Sequence, residues 1–122
     1  MMNKRILIVD DDEMVLIAVN ELLKQEGYEV DPVSSGSEAI EKLGQGTYDL
    51  IMLDIIMPEM DGFELCRKIR EMDTNKETPV VFLSAKNQDK DRVAGMEAGA
   101  NLFLSKPISP DKLLSIISDT LG

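Results

Sequence analysis

The side chains able to do chemistry in this sequence each stand at the end of an apolar run. Asp10, Asp11 and Asp12 follow Ile6–Val9, Asp54 follows Leu50–Leu53, Ser84 closes Pro79–Ser84, and Lys106 comes just after Ala100–Leu104. Carboxylates gathered in one place repel, by roughly 4 kcal/mol for two charges about 4 Å apart at an effective dielectric of 20. Either one of them holds its proton or a cation sits among them. An all-oxygen site suits a hard divalent ion, and Mg2+, which keeps several waters and takes few carboxylates, fits it well. Such an ion keeps Asp54 ionised and draws in a phosphoryl group. A carboxylate is a competent nucleophile toward phosphorus and yields an acyl phosphate. In-line transfer needs cationic cover over the equatorial oxygens, and Mg2+ with Lys106 would supply it, the Ser84 hydroxyl adding a donor. The chain has no histidine, so proton transfer and metal binding fall to the carboxylates.

The elements that must carry these residues follow from the pattern. Arg5–Val9 reads as a strand, and Leu50–Leu53 as one buried on both faces. Pro58 and Gly62 interrupt regular structure after Asp54. A helix spans about Glu13–Gln25, with Val15, Ala18, Val19, Leu22 and Leu23 at helical spacing and Gly27 as its stop. Tyr28–Val33 is a second strand, placed near an edge because Pro32 has no N–H for a ladder. Ser35 and Glu38 form a capping-box pattern that opens a helix through Leu43, stopped by Gly44-Gln45-Gly46. Asp61 and Glu64 repeat that pattern at the head of a helix over Gly62–Glu71, and Asp73–Thr78 is a polar connection. Pro79–Ser84 is apolar enough for a central strand. A helix over Gln88–Ala98 ends at Gly99, and Ala100–Leu104 is the fifth strand. Ser109-Pro110 opens the last helix, through Leu121, with an N-cap and a proline at the first helical position. Five strands alternating with five helices predict an α/β fold with an open, doubly wound parallel sheet. Right-handed crossovers narrow the topology, and in such folds ligands sit outside the carboxyl ends of the strands, the edge at which all these polar residues lie.

Composition sets the outer bounds. The 122 residues, 43% apolar and 30% charged, suit one soluble domain over residues 1–122. No apolar run approaches the roughly 20 residues of a membrane span. The start, Met-Met-Asn-Lys-Arg-Ile, has no signal-peptide core, and the single cysteine forms no internal disulfide, which points to the cytoplasm. Cys66, between Phe63 and Ile69, reads as a small hydrophobe on a helix face. A net charge of −10 repels phosphate backbones and anionic membranes, so neither nucleic acid nor membrane is an expected direct partner. Asp12 serves best as a helix cap. The eight methionines read as gap-fillers, with Met57, Met60 and Met96 partly exposed at a binding surface.

From Ile6 to Leu121 the chain resembles the receiver domains of response regulators, the phosphoacceptor half of two-component signalling. The resemblance is carried by Ile8-Val9-Asp10-Asp11, Leu53-Asp54-Ile55-Ile56-Met57-Pro58, Leu83-Ser84-Ala85 and Lys106-Pro107, in that order. It implies a flavodoxin-like (βα)5 fold with strand order 2-1-3-4-5. It further implies Asp54 as phosphoacceptor, Ser84 and Lys106 as catalytic ligands of the phosphoryl group, and Phe103 with Ser84 as the switch. Magnesium would be held by Asp10, Asp11, Asp54 and the Ile56 backbone carbonyl. The implied partners are a histidine kinase or histidine phosphotransferase upstream and a downstream protein or output domain. The face made by the fourth helix, fifth strand and fifth helix would change its binding preference on phosphorylation, and a homodimer through that face stays open. On this reading the chain is no enzyme beyond its own phosphorylation and dephosphorylation.

The sequence departs from the family pattern in places. Ser84 stands where threonine is commoner, Phe103 where tyrosine is frequent, and Lys86 adds a cation two residues past Ser84. Apolar Ile56 stands where some members orient the attacking water, and it is expected to shield the phosphoryl group and slow its loss. Two other readings fit the same residues: a small Mg2+-dependent phosphohydrolase with an aspartyl nucleophile, and a receiver-like module that is never phosphorylated. Against the first stand the chain's length and the lack of an acidic residue two positions after Asp54; against the second stands the intact set Asp10, Asp11, Asp54, Ser84 and Lys106.

Overall fold

In the computed structural model, which describes residues 3–122, the chain alternates strand and helix throughout. The elements are β1 (Arg5–Val9), α1 (Glu13–Gln25), β2 (Glu29–Val33), α2 (Gly36–Gln45), β3 (Leu50–Leu53), α3 (Gly62–Glu71), β4 (Val80–Ser84), α4 (Asp89–Ala98), β5 (Leu102–Ser105) and α5 (Pro110–Leu121). The strands form one parallel sheet in the order β2-β1-β3-β4-β5, the flavodoxin-like arrangement. Pro32 lies on edge strand β2, where its missing N–H costs no ladder bond. β4 is flanked on both sides and buried along its whole length.

Side-chain alternation divides the interior into two cores. Leu7 and Val9, Ile51 and Leu53, Val80 and Phe82 face one side, where Leu43 of α2 and Leu65, Cys66 and Ile69 of α3 close over them. Ile6 and Ile8, Leu50 and Met52, Val81 and Leu83 face the other, under Leu16, Val19 and Leu23 of α1 and Leu113 and Ile117 of α5. Each apolar residue of the inner strands β1, β3 and β4 contributes to a core because both faces are covered there, which is why these strands read as apolar runs. Full burial of such a side chain stabilises by about 1.5–3 kcal/mol. Cys66 is fully buried, and burial pushes its thiol up from the ordinary value, as expected of a packing residue.

Element ends differ from the sequence expectations in informative ways. α2 runs through Gly44 to Gln45 and stops at Gly46. The Ser35 hydroxyl accepts from Glu38 N–H, but the Glu38 carboxylate turns to Ser34 rather than closing a box on Ser35. Asp12 and Asp61 each cap a helix through a carboxylate oxygen. β5 begins at Leu102 rather than Ala100, because Gly99 and Ala100 still donate to the α4 carbonyls of Met96 and Gly95. Asn101 then bonds Val80 through both backbone N–H and side chain. Met57 is buried, not partly exposed; Met96 is 50% exposed.

The polar connection before β4 is more than a spacer. Asn75, 2% exposed, accepts from Tyr48 N–H and donates to the carbonyls of Leu43 and Gly46, tying the α2–β3 corner to the segment before β4. Arg70 of α3 reaches the carbonyls of Lys76, Thr78 and Gly99. Tyr48 donates to the Asp31 carboxylate under the Arg5 guanidinium, and burial with that bond pushes the phenol up to about 12.

Candidate functional site

Strand register assembles the site. Val9 and Leu53 are register partners in β1 and β3, so Asp10 and Asp54 leave the sheet side by side. Ser84 and Ser105 are partners in β4 and β5, so Lys106 leaves one step beyond Ser84. The backbone continues this order past the strands: Asp54 N–H donates to Val9 O at 3.0 Å, and Lys106 N–H to Ser84 O at 3.0 Å. A glycine is required just behind the acid. Gly62 N–H donates to Ile55 O, and a Cβ at position 62 would collide with the Asp54 carbonyl oxygen and lie 2.9 Å from the Phe82 ring.

The charged groups converge closely. Carboxylate oxygens of Asp10, Asp11 and Asp54 lie within 4.8 Å of one another. Asp10 and Asp54 are buried and Asp11 is exposed. Lys106 Nζ donates to Asp10 Oδ2 at 2.7 Å and to Asp54 Oδ2 at 3.0 Å. Asp54 Oδ1 accepts from Ile55 N–H at 2.6 Å, and Asp10 Oδ1 from Asp12 N–H at 2.9 Å. Burial pushes the Asp10 carboxyl up from its ordinary value, against the Lys106 and Asp12 bonds, and the Asp54 charge adds to the rise. Burial lowers Lys106, but its bonds to Asp10 and Asp54 outweigh that and hold the ammonium above its ordinary value. Both partners of this ion pair move the same way, because one cation shared between two acids does not compensate Asp10 for leaving water.

Three carboxylates and one ammonium leave a formal charge of −2 in a pocket of hard oxygen donors. The residues therefore fit a divalent cation of the Mg2+ class. Ser84 is fully buried, and its Oγ accepts from Lys86 N–H at 3.1 Å. Ile56, two residues past Asp54, is 61% exposed, and Met14 and Ile17 of α1, the helix that follows Asp10–Asp12, are exposed at 75% and 51%. Phe103 is half-buried on β5, its ring 5.8 Å from Phe82 and under the Arg92 guanidinium at 5.1 Å. Of the residues that the sequence singled out, Asp10, Asp11, Asp54 and Lys106 meet directly, while Ser84 and Lys106 are joined through the Ser84 carbonyl. Phe103 sits in the neighbouring strand β5 as the register partner of Phe82, two residues before that strand ends. Asp91, a buried carboxylate at the head of α4, went unnoticed in the sequence, although a Gln88-x-x-Asp91 spacing is a capping signal.

The family model of the response regulator receiver domain matches residues 6–118. This chain belongs to that family. As a receiver it is 42% identical to the transcriptional regulatory protein ResD of Bacillus subtilis over 110 residues, 90% of this chain and 45% of ResD. The chain spans about half the length of the curated relatives it matches. The chemotaxis response regulator CheY4 of Vibrio cholerae superposes with a TM-score of 0.92 at 31% identity, covering 98% of this chain and 99% of that one. The receiver domain of the sensor histidine kinase PA1611 from Pseudomonas aeruginosa, solved with a magnesium ion coordinated in its active-site cleft, gives 0.91 at 29% identity and covers 99% of each chain. The receiver is thus a regulatory module of two-component signalling. No helix among its described residues is long and apolar enough to cross a membrane.

Proposed function

We propose that the receiver accepts a phosphoryl group on Asp54 from a partner phosphohistidine and uses it to reset a protein-binding face. The observation that carries this is the clustering of Asp10, Asp11 and Asp54, two of which, Asp10 and Asp54, share a single ammonium, Lys106. Asp10, Asp11 and Asp54, with the Ile56 carbonyl, would hold Mg2+. When bound, the ion supplies positive charge that keeps the carboxylates ionised and offsets the charge of the transferred group. An Asp54 oxygen attacks phosphorus in line as the bond to the donor's imidazole nitrogen breaks, and that nitrogen leaves with the electron pair. Lys106 already donates to Asp54 Oδ2, so it is in place to follow the charge onto the phosphoryl oxygens. Ser84 adds a hydroxyl donor from the end of β4.

Exposed Met14, Ile17 and Ile56 offer apolar contact to a histidine kinase or phosphotransferase, and Ile56 shields the acyl phosphate from water. Phe103 and Ser84 then move together, and the face of α4, β5 and α5 changes its preference for a downstream protein or output domain. Phosphorylation shifts that equilibrium only by its differential contacts in the two states. The phosphoryl group is stored, not turned over, so the receiver acts catalytically only on itself. Incubation with acetyl phosphate, with and without Mg2+, followed by intact mass beside Asp54→Asn, tests this. One adduct requiring both Mg2+ and Asp54 is expected; donor turnover without an adduct would indicate a phosphohydrolase, and neither would leave a binding module.

A further inference from the structure

Asp91 is a buried carboxylate, 4% exposed, outside the acidic cluster. A charge so placed is costly unless both oxygens are partnered, and here both are, by one short loop. Asp91 Oδ2 accepts from Gln88 N–H at 3.0 Å, and Asp91 Oδ1 faces Lys86 Nζ at 3.6 Å. The α4 carboxylate therefore grips the β4–α4 connection at residues 86 and 88. The same Lys86 donates its backbone N–H to Ser84 Oγ, while Ser84 O is held by Lys106 N–H. A hydroxyl has one hydrogen and two lone pairs. With Lys86 N–H on a lone pair, the Ser84 hydrogen is not used toward that amide and is the group's remaining donor.

We propose that Asp91 is a positioning residue for phosphoryl transfer, clamping residues 86–88 so that Ser84 presents its hydroxyl hydrogen to the group arriving on Asp54. This rests on the reading of Asp54 as phosphoacceptor and Ser84 as its hydroxyl ligand. Asp91→Asn keeps an oxygen for Gln88 N–H and the side-chain volume, but removes the ion pair with Lys86. Lys86→Met removes the same pair from its half-exposed end, where folding is least at risk.

The experiment measures the rate of adduct formation from acetyl phosphate and Mg2+ in the wild type, Asp91→Asn, Lys86→Met and Ser84→Ala, and in Ser84→Ala combined with Asp91→Asn. A fall of about 3- to 10-fold is expected in each of the first two variants, the scale of one hydrogen bond lost from alignment. In the Ser84→Ala background, Asp91→Asn should change nothing further, whereas a merely structural role would persist there. Hydrogen exchange at the Lys86 amide should quicken in Asp91→Asn before any phosphodonor is added. A faster reaction in Asp91→Asn would overturn the proposal and make Lys86, released from its partner, a direct ligand of the phosphoryl group. An unchanged rate, or one that falls equally in the Ser84→Ala background, overturns it while leaving the phosphoacceptor reading intact. A wild type that forms no adduct overturns both.

Discussion

Replacing Lys106 with methionine isolates the electrostatics of the acidic edge. The variant keeps most of the side-chain volume and removes both charge-assisted bonds, at 2.7 Å to Asp10 and 3.0 Å to Asp54. Removing one partner of a buried ion pair costs about 3–5 kcal/mol. Lys106 is only partly buried, its side chain 20% exposed, so water softens the loss and about 2–3 kcal/mol is expected near pH 7 without divalent ions. The loss should depend on pH in a set direction. Burial already holds the folded Asp10 carboxyl above its ordinary value, and loss of the ammonium raises it further. A raised carboxyl makes the folded state bind more protons than the unfolded one, so its penalty is relieved as pH falls and is complete at higher pH. At a pH well below neutrality the variant should recover part of its deficit, because the raised Asp10 carboxyl takes up a proton in the folded state before it does so in the unfolded one. Mg2+ should recover part of it at pH 7 by standing in for the lost charge. In the wild type the Lys106 contribution persists through neutrality and fades only where the ammonium itself titrates, above its ordinary value. Urea unfolding at the two pH values, with and without Mg2+, measures every arm. A deficit of the same size at both pH values and in Mg2+ would refute the electrostatic reasoning and reduce Lys106 to a packing residue.

Gly62→Ala should cost about 3 kcal/mol or more in urea unfolding, since its Cβ would strike the Asp54 carbonyl and the Phe82 ring. Its adduct yield should fall with it, because the collision displaces the phosphoacceptor. Asn75→Ala should cost about 2–4 kcal/mol by leaving Tyr48 N–H and the Gly46 carbonyl unpaired and stripping the Leu43 carbonyl of one of its two side-chain donors. The still-folded fraction should accept phosphate at the wild-type rate. Tyr48, pushed up to about 12, should remain a phenol in the folded protein past its ordinary range. Its stabilising bond to Asp31 should hold below about pH 10 and be lost as pH rises toward 12; ultraviolet titration of folded wild type against Tyr48→Phe checks it.

The fold was largely written in local pattern, and the site in the ends of strands. β1 and β3 read correctly because each carries an apolar run of four residues closed by an acid, and Pro32 marked β2 as an edge. The start of β5 was misread because Ala100 is apolar yet still belongs to the α4 cap, a distinction made by backbone bonds rather than by hydropathy. The convergence of Asp10, Asp54 and Lys106 was foreseeable from their common position after strands, but the sharing of one ammonium by two buried acids was not. That sharing depends on register across three strand pairs. Asn75 and Arg70 were opaque for the same reason: each looks like a surface residue until the carbonyls and amides it serves come together from distant segments, whereas Asp91 carries a local capping signal three residues after Gln88.

The ion pair that completes the site spans almost the whole chain: Asp10 and Lys106 are separated by 96 positions. During synthesis at roughly 5–20 residues per second, Asp10 is made about 5–20 s before the ammonium that will neutralise it. β1, β2 and β3 are available to pair within that interval, so a growing sheet presents Asp10 and Asp54 with no lysine beside them. Its acidic edge stays at its most repulsive until β5 docks on β4 and delivers Lys106. The charge balance of this acidic edge is thus set only when β5 pairs with β4, well after the carboxylates themselves are in place.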